Sequence, residues 1–298
     1  MRQVRRRRRR RSVAESLWWF ILPAALVYVA VVILPNVQGV ILSFTDWTGS
    51  PRPPEFNGLE NYVDVFRDDA GEAFVRTVFV ALVVVVVQNA LGLGLALLLN
   101  GRIAGRNVLR TIIFAPLVVS PLVVGYLFKY LFGPPGIGGI NTVVGSLGLD
   151  EADFLGNPST ALWIVIVAVV WQFTGSSMVI FLAGLQGVPA ELQEAAALDG
   201  AGYWRRFWSI TWPLLWPATT VNLMLGLIGG LKLFDAVFAI TGGGPGGQTE
   251  TVSTLIYQLF AQSGQFGQAA ALAAVLAVAV GILSFVQFSV LRRQEQKQ

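Results

Sequence analysis

Residues 78–99 read VFVALVVVVVQNALGLGLALLL, with no charged side chain among them. A helix needs roughly 17–25 apolar residues to cross a bilayer, and this run has that length. The β-branched stretch 83–87 would favour a strand in water. In lipid no water satisfies the backbone, so a spanning segment is either a helix or part of a closed barrel. Barrel strands alternate polar and apolar residues over about ten positions, and this run does not alternate. It reads as a transmembrane helix. Working outward, five more uncharged runs reach spanning length: 17–34, 111–128, 161–184, 213–231 and 269–291. The expected fold is therefore all-α and polytopic, with six transmembrane helices in one domain over 17–291. A basic tail, 1–16, precedes it and a short tail, 292–298, follows. No internal repeat is evident.

Composition agrees. Hydrophobic residues make up 54% of the 298 positions and charged residues 13%, with a mean hydropathy of +0.64. Soluble domains run near 25% charged, so a water-exposed globule would lack polar surface. A disordered chain needs the opposite balance. The chain has no Cys and no His. That excludes disulfides and thiolate chemistry, and removes the usual carriers of zinc binding and neutral-pH acid–base catalysis. Composition thus argues against an enzyme.

Charge sets the orientation. Eight of the 21 basic residues are Arg2 and Arg5 to Arg11, which leaves 13 basic against 17 acidic residues. The Arg run precedes an apolar segment and reads as a cytoplasmic membrane anchor rather than a nucleic-acid arm. A cleaved signal peptide also begins with basic residues. Here the apolar run is long, no small-residue cleavage site precedes Pro35, and further spans follow. Arg102, Arg106 and Arg110 lie in the second connection, Arg205 and Arg206 in the fourth, and Arg292, Arg293 and Lys297 in the last tail. The alternate connections are basic-poor. The first holds Asp46, Glu55, Glu60, Asp64, Asp68, Asp69 and Glu72 against Arg52 and Arg67; the third holds Asp150, Glu151 and Asp153; the fifth, 236–268, holds Glu250 alone. By the positive-inside rule both termini are expected in the cytoplasm. Lys129 after the third span reads as a snorkelling cation. For Lys232 and Asp235 after the fifth, snorkelling and a functional role both fit.

One connection stands out. Residues 189–213 read PAELQEAAALDGAGYWRRFWSITWP. Pro189 suits a helix start, 190–198 is rich in helix formers, and Asp199-Gly200 is a stop signal. A second short helix over 203–210 would lead into the fifth span. Ala195, Ala196 and Ala197 beside Tyr203, Trp204, Phe207 and Trp208 make a small-residue face next to an aromatic one. Such a pair suits either a protein-docking surface or an interfacial amphipathic helix.

The spacing Glu194-Ala195-Ala196, three residues, Gly200, nine residues, Ile210, one residue, Trp212-Pro213 resembles the EAA loop of ATP-binding cassette (ABC) importer permeases. Trp212 stands where that family usually has Leu, also bulky and apolar. Phe132-Gly133-Pro134-Pro135 with Gly139-Ile140-Asn141, Phe234-Asp235, and Thr241-Gly242-Gly243-Gly244-Pro245 resemble the sugar-importer, MalF-like branch. The resemblance covers the chain from about Leu17 onward. It implies a type I ABC importer permease in a bacterial inner membrane, paired as a heterodimer with a second homologous permease. Two ATPase subunits would bind beneath and an extracytoplasmic solute-binding protein would deliver the sugar. The loop would seat in an ATPase cleft, with Glu194 as polar anchor and Gly200 as a turn where a side chain would clash. Ala195, Ala196, Asp199, Ile210 and Pro213 complete that coupling set. ATP and Mg would sit on the partners, and the chain itself would bind no cofactor, metal or nucleic acid.

A sugar is held by aromatic faces and hydroxyl-pairing groups. The candidates are Trp171, Gln172, Phe173, Thr174, Ser176 and Ser177 on the fourth span, and Asn222, Gly230, Lys232, Phe234 and Asp235 on and after the fifth. Gln88 and Asn89 are candidates on the second. Any of these could instead join helices. Gly92, Gly94, Gly226 and Gly229 read as helix-packing positions. No GxxxxGK[ST] loop is present, so hydrolysis would belong to a partner. An ion-coupled transporter would need intramembrane carboxylates, and the six runs contain none. Within the ABC class, glycerol phosphate, amino acids, peptides or phosphonates are the alternative solutes.

Overall fold

Four helices are each long and apolar enough to cross a bilayer: Phe20–Leu42, Ala70–Asn100, Pro158–Gln186 and Phe266–Leu291. Two bent pairs bring the number to six. Arg106–Val118 joins Pro121–Leu131 at 96°, and Tyr203–Leu214 joins Trp216–Leu231 at 65°. The computed structural model describes residues 13–67, 70–101 and 103–295, with side chains described from 20 to 291 in those ranges. The Arg run, Asp68, Asp69, Arg102, Lys297 and the side chains of Arg292 and Arg293 lie outside the described set.

The bends correct the expectation of continuous helices over 111–128 and 213–231. Pro121 has no N–H and pushes its predecessor out of the helical region. Val119 and Ser120 accordingly adopt ψ of 139° and 135°. The third span is thus two half-helices. In the fifth, Leu215 sits at the bend between Pro213 and Pro217, with φ −85° and ψ −6°. The first span is longer than expected and continues past Pro35 to Leu42.

The second and fourth spans form the centre. Near one end they bury Ala96, Leu99, Met178, Phe181 and Leu185 with Leu215. Near the other they bury Val80, Val84, Val165 and Val169 with Val124, Val237 and Ile240. Small residues allow the close approaches. A Cβ at Gly175 would lie 2.5 Å from the Ile113 carbonyl oxygen, and one at Gly92 would lie 2.6 Å from Ser177 Cβ. One at Gly226 would lie 3.1 Å from Val85 Cγ2, but Gly94 and Gly229 have no described residue within 4 Å and so do not serve packing within this chain. The first and last spans are the least buried. Their outward Leu, Ile, Val and Phe side chains suit lipid or a partner subunit.

The end of the bundle opposite the 189–213 loop is also ordered. After Leu231 the chain unwinds over 232–234, then forms the short helix Asp235–Ile240, which packs on Pro121–Leu131 through Gly125 and Ala239. Gly242, Gly243, Gly246 and Gly247 all have positive φ, which only glycine adopts at low cost. They let 241–250 fold back on itself. Thr249 Oγ1 donates to Gly244 O at 2.7 Å, and Arg76 Nη1 donates to Glu250 O at 3.0 Å.

Gly175→Ala should lower the melting temperature of the detergent-purified protein, because overpacking of this kind costs about 1–3 kcal/mol. Gly94→Ala should be neutral or raise it, since Ala gains up to about 1 kcal/mol over Gly in an open helix. Equal shifts for the two variants, followed by tryptophan fluorescence, would contradict the packing described.

Candidate functional site

The break in the third span and the unwound turn after Leu231 border one cavity of about 340 Å³. Ligand sites typically start near 300 Å³. Gln88 comes from the second span, Pro121 from the break in the third, and Gln172, Phe173 and Ser176 from the fourth. Asn222, Gly226, Gly229 and Gly230 come from the fifth, Lys232 and Phe234 from the unwound turn, and Asp235 from the start of the short helix that follows. Most of the candidate substrate residues therefore meet around a single space.

The polar residues also hold the helices. Breaking the third span leaves carbonyls without helical partners. Gln172 Nε2 donates to one of them, Val119 O, at 2.9 Å. Gln88 Nε2 donates to Ser177 Oγ at 2.8 Å, and Asn222 Nδ2 to Ser177 O at 3.3 Å. The two readings of these amides, helix joining and cavity lining, thus coexist in the same side chains.

Trp171 is elsewhere. Successive helical residues point about 100° apart, so the residue before an inward Gln172 turns outward. Trp171 is 45% exposed and its ring lies 5.7 Å from that of Phe128. It lines a separate apolar groove with Val87, Leu91, Trp163 and Val167. Thr174 borders that groove too and donates to Val170 O in its own helix. Asn89 is buried and donates to Val85 O at 2.7 Å, also within its own helix.

The 189–213 loop lies at the other end. Its first helix is Ala190–Leu198, with Asp199 at the C-cap and Gly200 at φ +78°. Gly200 N–H donates to Ala197 O at 3.1 Å and Ala201 N–H to Ala196 O at 2.9 Å. These are the two bonds of a Schellman stop, which requires a left-handed residue at that point. A Cβ on Gly200 would meet nothing within 4 Å. The expected clash is therefore absent within this chain; glycine is required there by backbone conformation. The second helix runs Tyr203–Leu214, longer than 203–210, with a π turn at Phe207–Thr211. Gln193 Nε2 donates to Thr211 Oγ1 at 2.9 Å and fixes one helix to the other.

Glu194, Ala195, Asp199 and Gly200 are exposed, and Ala196, Ile210 and Pro213 half-buried. Leu198 is 90% exposed, and Tyr203, Trp204 and Trp208 are exposed beside it. Aromatic rings then continue along the second helix. Trp204, Phe207, Trp208, Trp212 and Trp216 form a chain with successive centroids 5.0–6.1 Å apart. The ladder has a signal in the sequence, since Trp204, Trp208, Trp212 and Trp216 recur at i, i+4, the spacing of neighbours on one helix face. Among the described residues no cluster of His, Cys, Asp or Glu could hold a metal ion.

The family described as binding-protein-dependent transport system inner membrane component matches residues 88–297. The chain is 34% identical over 266 residues to the multiple sugar-binding transport system permease protein MsmF of Streptococcus mutans, covering 88% of this chain and 90% of that one. It is 36% identical over 269 residues to the trehalose/maltose transport system permease protein MalF of Thermococcus litoralis, covering 89% and 87%. Its fold matches a chain of a bacterial ABC transporter involved in import of the acidic polysaccharide alginate. There the TM-score is 0.78 at 24% identity, over 94% of this chain and 96% of that one.

The absence of Cys offers a clean background for labelling. In the membrane-embedded protein, Ser176→Cys should react with a charged methanethiosulfonate reagent, and Val167→Cys, on the apolar groove, should not. Reaction at Val167→Cys with none at Ser176→Cys would show that the described cavity is not the water-accessible one.

Proposed function

The chain belongs to the family of binding-protein-dependent transport system inner membrane components, and from that premise we propose that its cavity passes a sugar delivered by an extracytoplasmic binding protein. The chain is a multi-pass membrane permease subunit of an ABC importer and is not itself catalytic. In the proposed assembly it pairs with a second, homologous permease, and two ATPase subunits carry the ATP and Mg. The 189–213 loop seats in a cleft of one ATPase, with Glu194 as its polar contact and the exposed Leu198 and Tyr203–Trp204 edge as its apolar one. Both termini and the basic connections face the cytoplasm, as the charge asymmetry requires.

The observation that carries this reading is the physical continuity between loop and cavity. Gln193 bonds to Thr211, the aromatic chain runs from Trp204 to Trp216, and helix Trp216–Leu231 follows. At 1.5 Å per residue that helix is about 24 Å long, and from its middle onward Asn222, Gly226 and Gly230 lie on the cavity wall. Closure of the ATPases would push the loop and tilt this helix as a body, opening the cavity to one side and then the other. Such alternating access is rigid-body motion around a fixed site. The polar amides, Ser176 and the rings of Phe173 and Phe234 suit the hydroxyls and C–H faces of a sugar.

Two experiments test this. Reporter fusions at Arg106 and Arg205 should place them in the cytoplasm, and fusions at Glu60 and Gly244 outside; Gly244 inside would break the six-span topology. Glu194→Lys and Gly200→Leu should leave the spans inserted, yet reduce co-isolation of the ATPase or uncouple hydrolysis from sugar uptake in vesicles. The Gly200 change strains a left-handed turn by about 1 kcal/mol. Normal co-isolation with normal uptake in both variants would reduce the loop to an interfacial helix.

A further inference from the structure

We propose that Lys232 and Asp235 set the charge class of the solute, so that a neutral polyhydroxylated molecule passes and an acidic sugar is turned away. The inference rests on reading the cavity as the sugar path. These two are the only charged residues among those that line it. They are opposite in sign and bracket the unwound turn, Lys232 opening it and Asp235 beginning the helix after it. Among the described residues neither takes part in an ion pair, and neither side chain donates or accepts a hydrogen bond.

The turn that carries them is held in place. Leu233, between them, accepts a hydrogen bond through its carbonyl from the fully buried Thr251 Oγ1 at 2.9 Å. Phe234 stacks on Phe238 with centroids 5.1 Å apart. Two unpaired charges on the cavity wall, Lys232 exposed and Asp235 half-buried, are open to partners from whatever enters. A sugar hydroxyl both donates and accepts, so one molecule can donate to the Asp235 carboxylate and accept from the Lys232 ammonium. An acidic sugar would gain at Lys232 but bring its carboxylate beside that of Asp235, and juxtaposed like charges discriminate strongly against the wrong ligand. The remaining polar groups are neutral amides and a hydroxyl, which offer an anion no second cation.

The test uses the full permease–ATPase complex in nanodiscs without binding protein, so that only the membrane site is read. The probes are labelled maltose, lactose and cellobiose, each beside its aldonate (maltobionate, lactobionate and cellobionate), with glycine betaine as a zwitterionic competitor. The wild type should bind at least one neutral disaccharide more tightly than its aldonate. Asp235→Asn, which keeps shape and removes the charge, should narrow that preference by about tenfold, an electrostatic difference of ordinary size for a close charge pair. Lys232→Gln should widen it. An unchanged preference in both variants, with neutral binding retained, would overturn the charge assignment and leave the sugar reading standing. Tighter binding of the aldonates by the wild type, or displacement by betaine ahead of every sugar, would also overturn it. A wild type that binds none of the disaccharides, neutral or acidic, would remove the sugar reading itself.

Discussion

A backbone inside a bilayer has no water to fall back on, so each N–H and C=O must find a partner in the protein. The architecture of this chain follows from where that rule is strained. Pro121 breaks the third span at Val119 and Ser120, and the fifth span unwinds beyond Leu231. Each break needs polar side chains from its neighbours. Gln172 answers at Val119 O, and Thr251 answers at Leu233 O. A cavity lies where both breaks meet, and Gln172, which answers the first of them, also forms part of its wall.

The same logic explains why the cavity stays a defined shape. The second and fourth spans press together through Gly92, and the fourth meets the first half of the third through Gly175. Helix association in lipid depends on such close approach, because apolar burial gives no advantage over lipid. At the opposite end, four left-handed glycines fold 241–250 into a compact cap that Arg76 and Thr249 fasten. Between the cap and the 189–213 loop runs one bent helix, the element that joins the two ends.

Much of this was legible in the residues. Length and charge-free runs gave the spans, since the bilayer imposes a single length scale. Pro189 and the helix formers after it marked the first helix of the 189–213 loop, and Asp199-Gly200 marked its stop. Where the reading fell short, the cause is local. Pro121 sits inside an apolar run of spanning length, yet its effect on Ser120 is to end a helix. Trp171 and Gln172 are adjacent in sequence, yet a helix turns them to different faces. Whether Gly94 and Gly229 pack depends on a neighbouring helix that no single sequence displays. The tryptophans at 204, 208, 212 and 216 were visible at helical spacing, but only the structure joins them into one ladder reaching the fifth span.

The central claim is that the helix breaks build the solute site. The most direct measurement is a structure of the assembled importer, with its partner permease, ATPases and binding protein, trapped with a sugar in transit. The account predicts density for the sugar between Phe173, Asn222 and Phe234, bounded by the Val119–Pro121 break and the 232–234 turn. Sugar density in the Trp163–Trp171 groove, or along a path that leaves both breaks untouched, would contradict it.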